Sequence, residues 1–224
     1  MIVTIDGPAG SGKSTAARKL AALLGIPYLD TGAMYRAITL KALDTGVSLD
    51  DPDALVALAK ATDIQLDCGP TYVRVMMDGR DVSEAIRSMR VSQHTNPIAR
   101  NPRIREVLVR KQAEIGRRLG SLVTEGRDQG SVVFPNADVK FLLDAADTKR
   151  AERRYVEIQA DGEDVNYEDV LANIRARDAN DQKQWAGLLE SKQAVHIDTT
   201  HMTIAQVVEH LQAEIERQMA GRSR

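Results

Sequence analysis

Thiols and aromatic rings are scarce in this sequence: Cys68 is the single cysteine among 224 residues, and Phe, Trp and Tyr together make up 4%. One thiol excludes an internal disulfide and a multi-thiolate zinc site, which fits a reducing compartment, and Cys68 reads as a half-buried strand thiol. So few rings leave too few stacking platforms for a nucleic-acid channel. Neither sign of charge dominates, since 30 Lys and Arg against 32 Asp and Glu leave a formal −2. That balance lacks the basic excess of a polyanion-binding domain, so no nucleic-acid partner is expected. Long apolar runs are missing as well. Leu20-Ala21-Ala22-Leu23-Leu24 stops at Gly25, far short of the roughly 18 to 20 residues that span a bilayer. The chain opens directly on a β-type run instead of a basic and then apolar leader, so a cytoplasmic protein without membrane contact is the expectation. The four histidines, His94, His196, His201 and His210, lack ligand spacing and read as structural or exposed.

What the chain does have is 43% hydrophobic residues, enough for one substantial core. Ile2-Val3-Thr4-Ile5 is a short strand pattern, followed by Asp6, a Gly/Ser-rich loop, and helical spacing from Thr15 to Leu24. Further strand patterns stand at Pro27 to Asp30, Leu122 to Glu125, Val139 to Leu143 and Val195 to Asp198, with helical stretches between most of them. Short apolar strands alternating with helices predict an α/β fold with a parallel sheet covered on both faces. The rhythm breaks between about 63 and 102. There two alternating runs, Ile64 to Asp67 and Tyr72 to Val75, precede a turn at Asp78-Gly79 and a polar stretch to Asn101. This segment predicts a small antiparallel hairpin unit inserted into the frame.

Gly7-Pro8-Ala9-Gly10-Ser11-Gly12-Lys13-Ser14 fits GxxxxGK[ST] between a strand and a helix, the context that the phosphate-binding loop requires. Its glycines let successive N–H groups turn into one concavity at a helix N-terminus, which holds anionic phosphates. Lys13 would reach the β- and γ-phosphates, and Ser14 would place its hydroxyl on Mg²⁺. The loop implies a nucleoside triphosphate and Mg²⁺ without naming the acceptor.

Two other segments lie at strand ends, where open parallel sheets bind ligands. In Leu29 to Arg36, Thr31 is placed to cap a helix and Arg36 to clamp an anion; in Thr124-Glu125-Gly126-Arg127-Asp128 a strand ends in an acid, a glycine and an Arg-Asp pair. Taken singly, each also reads as an ordinary capped turn.

Taken in order, these motifs resemble the bacterial cytidylate kinases, within the P-loop nucleoside monophosphate kinases. The likeness runs through Gly7 to Thr15, Leu29 to Arg36, Asn101 to Glu106, Glu125 to Pro135, Arg177-Asp178 with Asp181, and Ile197-Asp198-Thr199. It implies a P-loop NTPase fold made of 1–62 and 103–224, with a lid at about 148–165. The insert at 63–102 would be a small mixed α/β subdomain that binds the monophosphate. The implied reaction is transfer of a phosphoryl group from ATP to CMP, and to dCMP, in pyrimidine nucleotide metabolism, by a monomer.

The resemblance also implies roles. Gly7 through Thr15, with Pro8, Ala9, Gly10, Ser11 and Gly12 between them, would hold ATP. Thr31, Arg36, Arg127, Arg177 and Asp181 would hold CMP, and Asn96 falls where related chains often place a serine near the base. Arg105 and Asp128 would read the cytosine edge, because an ionised carboxylate accepts from the amino group of cytosine and meets an unpaired carbonyl in uracil. Lys13, Arg127, Arg150 and Arg154 would carry catalysis by charge, the last two from the lid beside Arg153. Ser14 would bind Mg²⁺ directly and Glu125 through water. Without the resemblance, Arg177 and Asp181 also read as an i,i+4 surface pair and the lid arginines as a solvated helix face. The chain departs from the family at Gln184, where an arginine is usual, and Trp185-Ala186-Gly187-Leu188 lacks a usual proline. That departure keeps a weakly active nucleotide-binding paralogue as an alternative, and a UMP kinase on the same frame is another.

Overall fold

The computed structural model describes residues 1–160, 162, 164–190 and 194–222, the side chains of 180–190 and 222 excepted. The elements follow in chain order as β1 (Ile2–Asp6), α1 (Lys13–Leu24), β2 (Tyr28–Leu29), α2 (Thr31–Thr45), α3 (Pro52–Ala61), β3 (Ile64–Cys68), β4 (Val73–Met77) and β5 (Arg80–Asp81). Then come α4 (Met89–Arg100), α5 (Pro102–Leu119), β6 (Leu122–Gly126), β7 (Val139–Asp144), α6 (Asp147–Ala160), α7 (Tyr167–Glu190), β8 (Val195–Asp198) and α8 (Ile204–Arg222). They form two compact units, Met1–Leu24 with Val123–Arg224, and Gly25–Leu122. The second is wider than the 63–102 insert expected from sequence and contains it.

In the first unit the strands lie in the order β6, β1, β7, β8. β1 runs parallel to β7, with Val3 opposite Val139 and Asp6 opposite Leu142, and β7 runs parallel to β8. Five of the six residues of β7 are buried in succession, which is how a strand covered on both faces reads. Helix α1 turns Ala16, Ala17, Leu20 and Ala21 inward, all fully buried. The first unit is thus a parallel sheet flanked by helices, as the strand and helix rhythm predicts. Among the described residues, no helix is long and apolar enough to cross a membrane.

In the second unit β3 and β4 pair antiparallel from Ile64 opposite Met77 to Cys68 opposite Val73. β3 alternates buried and exposed residues, the mark of a sheet with one covered face. Asp78 (φ 50°) and Gly79 (φ 79°) both take left-handed backbone, which a two-residue turn into β5 requires. Cys68 is buried rather than half-buried, and its surroundings push the thiol up to about 12, mainly by burial and then by Asp67 and Asp30.

Two local expectations are corrected. The polar stretch before Asn101 is helix α4, with Pro97 inside it. Ser88 accepts from Val91 N at its start, and Val91 and Ile98, two turns apart, bury one face. The expected strand at Pro27 to Asp30 shrinks to Tyr28–Leu29, because Asp30 already caps α2.

Candidate functional site

The loop between β1 and α1 takes backbone angles that only glycine adopts freely: φ is 140° at Gly7, 76° at Gly10 and 87° at Gly12. At Gly7 a Cβ would also stand 2.0 Å from Leu143 O. The loop therefore passes directly over the end of β7, where side chains other than hydrogen cannot fit. Lys13 opens α1 and is buried, with Nζ donating to Pro8 O at 2.6 Å. Burial, and then repulsion from Arg127, bring its ammonium down to about 7, with Glu125 and Asp6 pulling the other way and Arg177 adding repulsion. Lys13, Arg127 and Arg177 thus converge electrostatically within the first unit, an arrangement that favours a polyanion.

Ser14 Oγ donates to Glu125 Oε1 at 2.9 Å. The two residues assigned to Mg²⁺ are therefore neighbours, one on the first turn of α1 and one on β6. A hydroxyl and a carboxylate are the hard oxygen donors that Mg²⁺ takes, together with phosphate oxygens and water. Among the described residues no group of three or more His, Cys, Asp or Glu could form a protein-only metal cage, and a nucleotide-bound Mg²⁺ needs none.

Beyond β6 the chain passes through Arg127 and Asp128 into one wide turn, Gln129–Val133. Its hydrogen bonds skip five residues, Val133 N to Asp128 O at 3.2 Å and Phe134 N to Gln129 O at 2.7 Å. Such π-type turns recur at functional sites. Helix α7, which carries Arg177, packs on this turn.

Arg150 on α6 is 4% exposed and fully engaged. Its Nη1 and Nη2 grip Asp178 at 3.0 and 2.5 Å, Nη1 also donates to Ala9 O at 3.0 Å, and Nε donates to Ala145 O at 2.8 Å. Here it buttresses the glycine loop rather than standing on an open helix face. Arg154 is exposed and pairs with Glu157 at 3.0 Å. Arg153 donates to Thr199 O at 2.7 Å, and Thr199 Oγ1 donates to Ser11 O at 3.3 Å. The Ile197-Asp198-Thr199 motif therefore anchors the loop from below. The sequence places Thr199 in the Ile197-Asp198-Thr199 motif without giving it a role, because its partners Arg153 and Ser11 are distant in the chain.

In the second unit Asp30, not Thr31, caps α2: its Oδ1 accepts from Ala33 N at 3.0 Å, while Thr31 is the first helical residue and buried. A carboxylate in that position accepts from the free N–H groups of the first turn. Asp30 also pairs with Arg36 at 3.3 Å and Arg87 at 3.9 Å. The Nε of Arg36 is buried without a hydrogen-bond partner. Asn96 lies exposed on α4 and Arg105 half-buried on α5. Asp181 and Gln184 belong to α7, and their side chains lie outside the described residues. All four histidines are exposed.

Asp6 is the group the sequence did not single out. It is fully buried at the end of β1, and its carboxylate oxygens accept from Gln129 N and Gly130 N, each at 2.8 Å. Burial pushes its carboxyl up to about 6 against these two bonds, with Asp128 adding to the rise and Lys13 opposing it.

A profile described as Cytidylate kinase matches residues 3–217. The cytidylate kinase of Caldanaerobacter subterraneus subsp. tengcongensis is 46% identical over 220 residues, 98% of this chain and 96% of its own. That of Bacillus pumilus is 45% identical over 206 residues, covering 92% and 91%. That of Aeromonas salmonicida is 43% identical over 223 residues, covering 99% and 96%. The solved structure of an uncharacterized protein from Eubacterium ventriosum shares the fold, with a TM-score of 0.52 at 12% identity over 97% of this chain and 98% of that one. A glycine loop with a buried lysine, an Arg-Asp pair at the next strand end and full-length likeness to these enzymes lead to one assignment: the chain belongs to the cytidylate kinase family.

Proposed function

We infer that this protein transfers the γ-phosphoryl group of ATP to CMP, giving ADP and CDP. The observation that carries this reading is the convergence of Lys13, Arg127 and Arg177 beside a loop built from left-handed glycines, in a chain of this family. A buried lysine whose charge is disfavoured by burial and by neighbouring arginines is stabilised when an anion binds beside it.

The loop from Gly7 to Thr15 cradles the triphosphate through main-chain N–H groups, and Lys13 leaves Pro8 O for the β- and γ-oxygens. A phosphate oxygen of CMP attacks the γ-phosphorus in line. The new P–O bond forms as the bond to the β,γ-bridging oxygen breaks, and ADP leaves. Positioning and charge supply most of the catalysis, so no general base is required. Ser14 and Glu125 would hold Mg²⁺, which, when bound, offsets charge on the β- and γ-oxygens.

On the first unit, Arg127 and Arg177 hold the acceptor phosphate and ribose together with Asp181, and Asp128 reads cytosine. On the second, Thr31, Arg36 and Asn96 contact CMP and Arg105 reads the base. The partnerless Nε of Arg36 supports an anion there. Arg154 supplies charge from the lid, and Arg150 acts through the loop it supports. The reading includes dCMP as a second acceptor, a monomer, and a place in pyrimidine nucleotide metabolism in the cytoplasm. The 63–102 insert serves as the monophosphate-binding part.

A turnover assay with ATP and Mg²⁺ against CMP, dCMP, UMP and AMP tests it. Rapid ADP release with CMP and dCMP and slow release with UMP and AMP is expected. Equal rates with all four would remove the assignment of Asp128 and Arg105.

A further inference from the structure

Asp6 immediately precedes Gly7 and holds a different segment from the one it leads into. Its two oxygens are taken up by consecutive amides, Gln129 N and Gly130 N, both at 2.8 Å. These amides open the wide turn that directly follows Arg127 and Asp128. The site admits only glycine at position 130, because a Cβ there would lie 2.7 Å from Thr4 Oγ1 and 3.3 Å from Asp6 Oδ2. The clamp is thus a close-fitting contact between β1 and the turn, with Thr124 Oγ1 donating to Gln129 Oε1 at 3.2 Å on the other side.

The charged groups around Asp6 are Lys13 of α1, Asp128 and Lys140 of β7. Its carboxyl is raised from 3.8 to about 6. A raised acid binds more protons in the folded than in the unfolded chain between those values, so stability falls as pH rises through them. At neutral pH the ionised form is therefore held against the folding equilibrium. A buried charge retained at such a cost is a mark of function.

We propose that Asp6 is a positioning residue for acceptor selection: by gripping the amides of Gln129 and Gly130 it fixes Arg127 and Asp128, so that the strand leading into the phosphate loop also sets pyrimidine discrimination. This rests on the reading of Asp128 as the group that recognises cytosine. An asparagine accepts from one amide and turns its NH₂ toward the other, which releases half the clamp.

The test is Asp6→Asn, assayed for kcat/KM with CMP and with UMP at one saturating ATP concentration, with Asp128→Ala in parallel. Effects transmitted through Lys13 act on both acceptors and cancel in the ratio. The CMP to UMP ratio should fall by about tenfold or more in Asp6→Asn, without a lower Tm at pH 8. A wild-type ratio in Asp6→Asn with a collapsed ratio in Asp128→Ala overturns the role of Asp6 alone. An unchanged ratio in Asp128→Ala overturns the cytosine reading itself. If Asp6→Asn does not fold, amide NMR of the wild type decides. The signals of Arg127 and Asp128 should move with those of Gln129 and Gly130 through one midpoint near 6, and signals that fail to move together contradict the proposal.

Discussion

Ser14 Oγ and Glu125 Oε1 meet at 2.9 Å although 111 residues separate them. The contact sets a hydroxyl and a carboxylate side by side at the mouth of the glycine loop. Removing either oxygen should weaken the hold on Mg²⁺ without emptying the nucleotide site. Ser14→Ala and Glu125→Gln should each raise the Mg²⁺ concentration for half-maximal activity by about tenfold, read from ADP release in a Mg²⁺ titration. Curves that superimpose on the wild type would show that neither oxygen serves the metal.

Lys13 gives a pH prediction with a definite sign. It is a base lowered to about 7, so in the free protein it loses its charge as pH rises through that value. kcat/KM for ATP should therefore fall above pH 7. Bound phosphates restore the proton, so kcat at saturating ATP should hold to higher pH. Lys13→Met should lower kcat by roughly 10²- to 10³-fold and flatten the ATP limb. A limb that persists in the variant must come from another group.

Arg150 and Asp178 give a stability prediction. Arg150 keeps 5% of its side chain exposed and Asp178 25%, so the pair is only partly screened. Asp178→Ala leaves a buried guanidinium with carbonyl partners alone and should cost about 2 kcal/mol. For a chain this long that lowers Tm by about 4 to 8 °C, measurable by calorimetry. An unchanged Tm would show that the bonds to Ala9 O and Ala145 O suffice.

We propose that Gln184, which stands where the family resemblance leads one to expect an arginine, leaves out a charged contact to the acceptor. Gln184→Arg should lower KM for CMP by about tenfold. Saturation kinetics with an unaltered KM would mean that another cation already fills the role.

What the sequence made legible follows the range of the interactions. The phosphate loop could be read because its glycines, Lys13 and Ser14 are contiguous and their spacing is itself the geometry. β6, β7 and β8 were visible as short apolar runs between turn residues. The Asp6 clamp was not, because its partners are amides 123 and 124 residues away and carry no side-chain signature. Arg150 appeared as one of three lid arginines, since helical spacing cannot tell a buried guanidinium from a solvated one. Pro97 and its polar neighbours hid α4, whose two buried anchors are too few to stand out. Thr-Gly reads as a helix start and points to Thr31 as the cap, whereas Asp30, one residue earlier, presents the carboxylate that Ala33 N meets.

A kinase of this family passes the phosphoryl group from ATP to CMP and not to water. The most direct measurement follows the γ-phosphate of ATP by phosphorus NMR in the presence of Mg²⁺ and CMP. The signal should appear in the β-phosphate of CDP, in step with ADP, and omitting CMP should stop the reaction. Release as inorganic phosphate at a rate indifferent to CMP would contradict transfer to CMP.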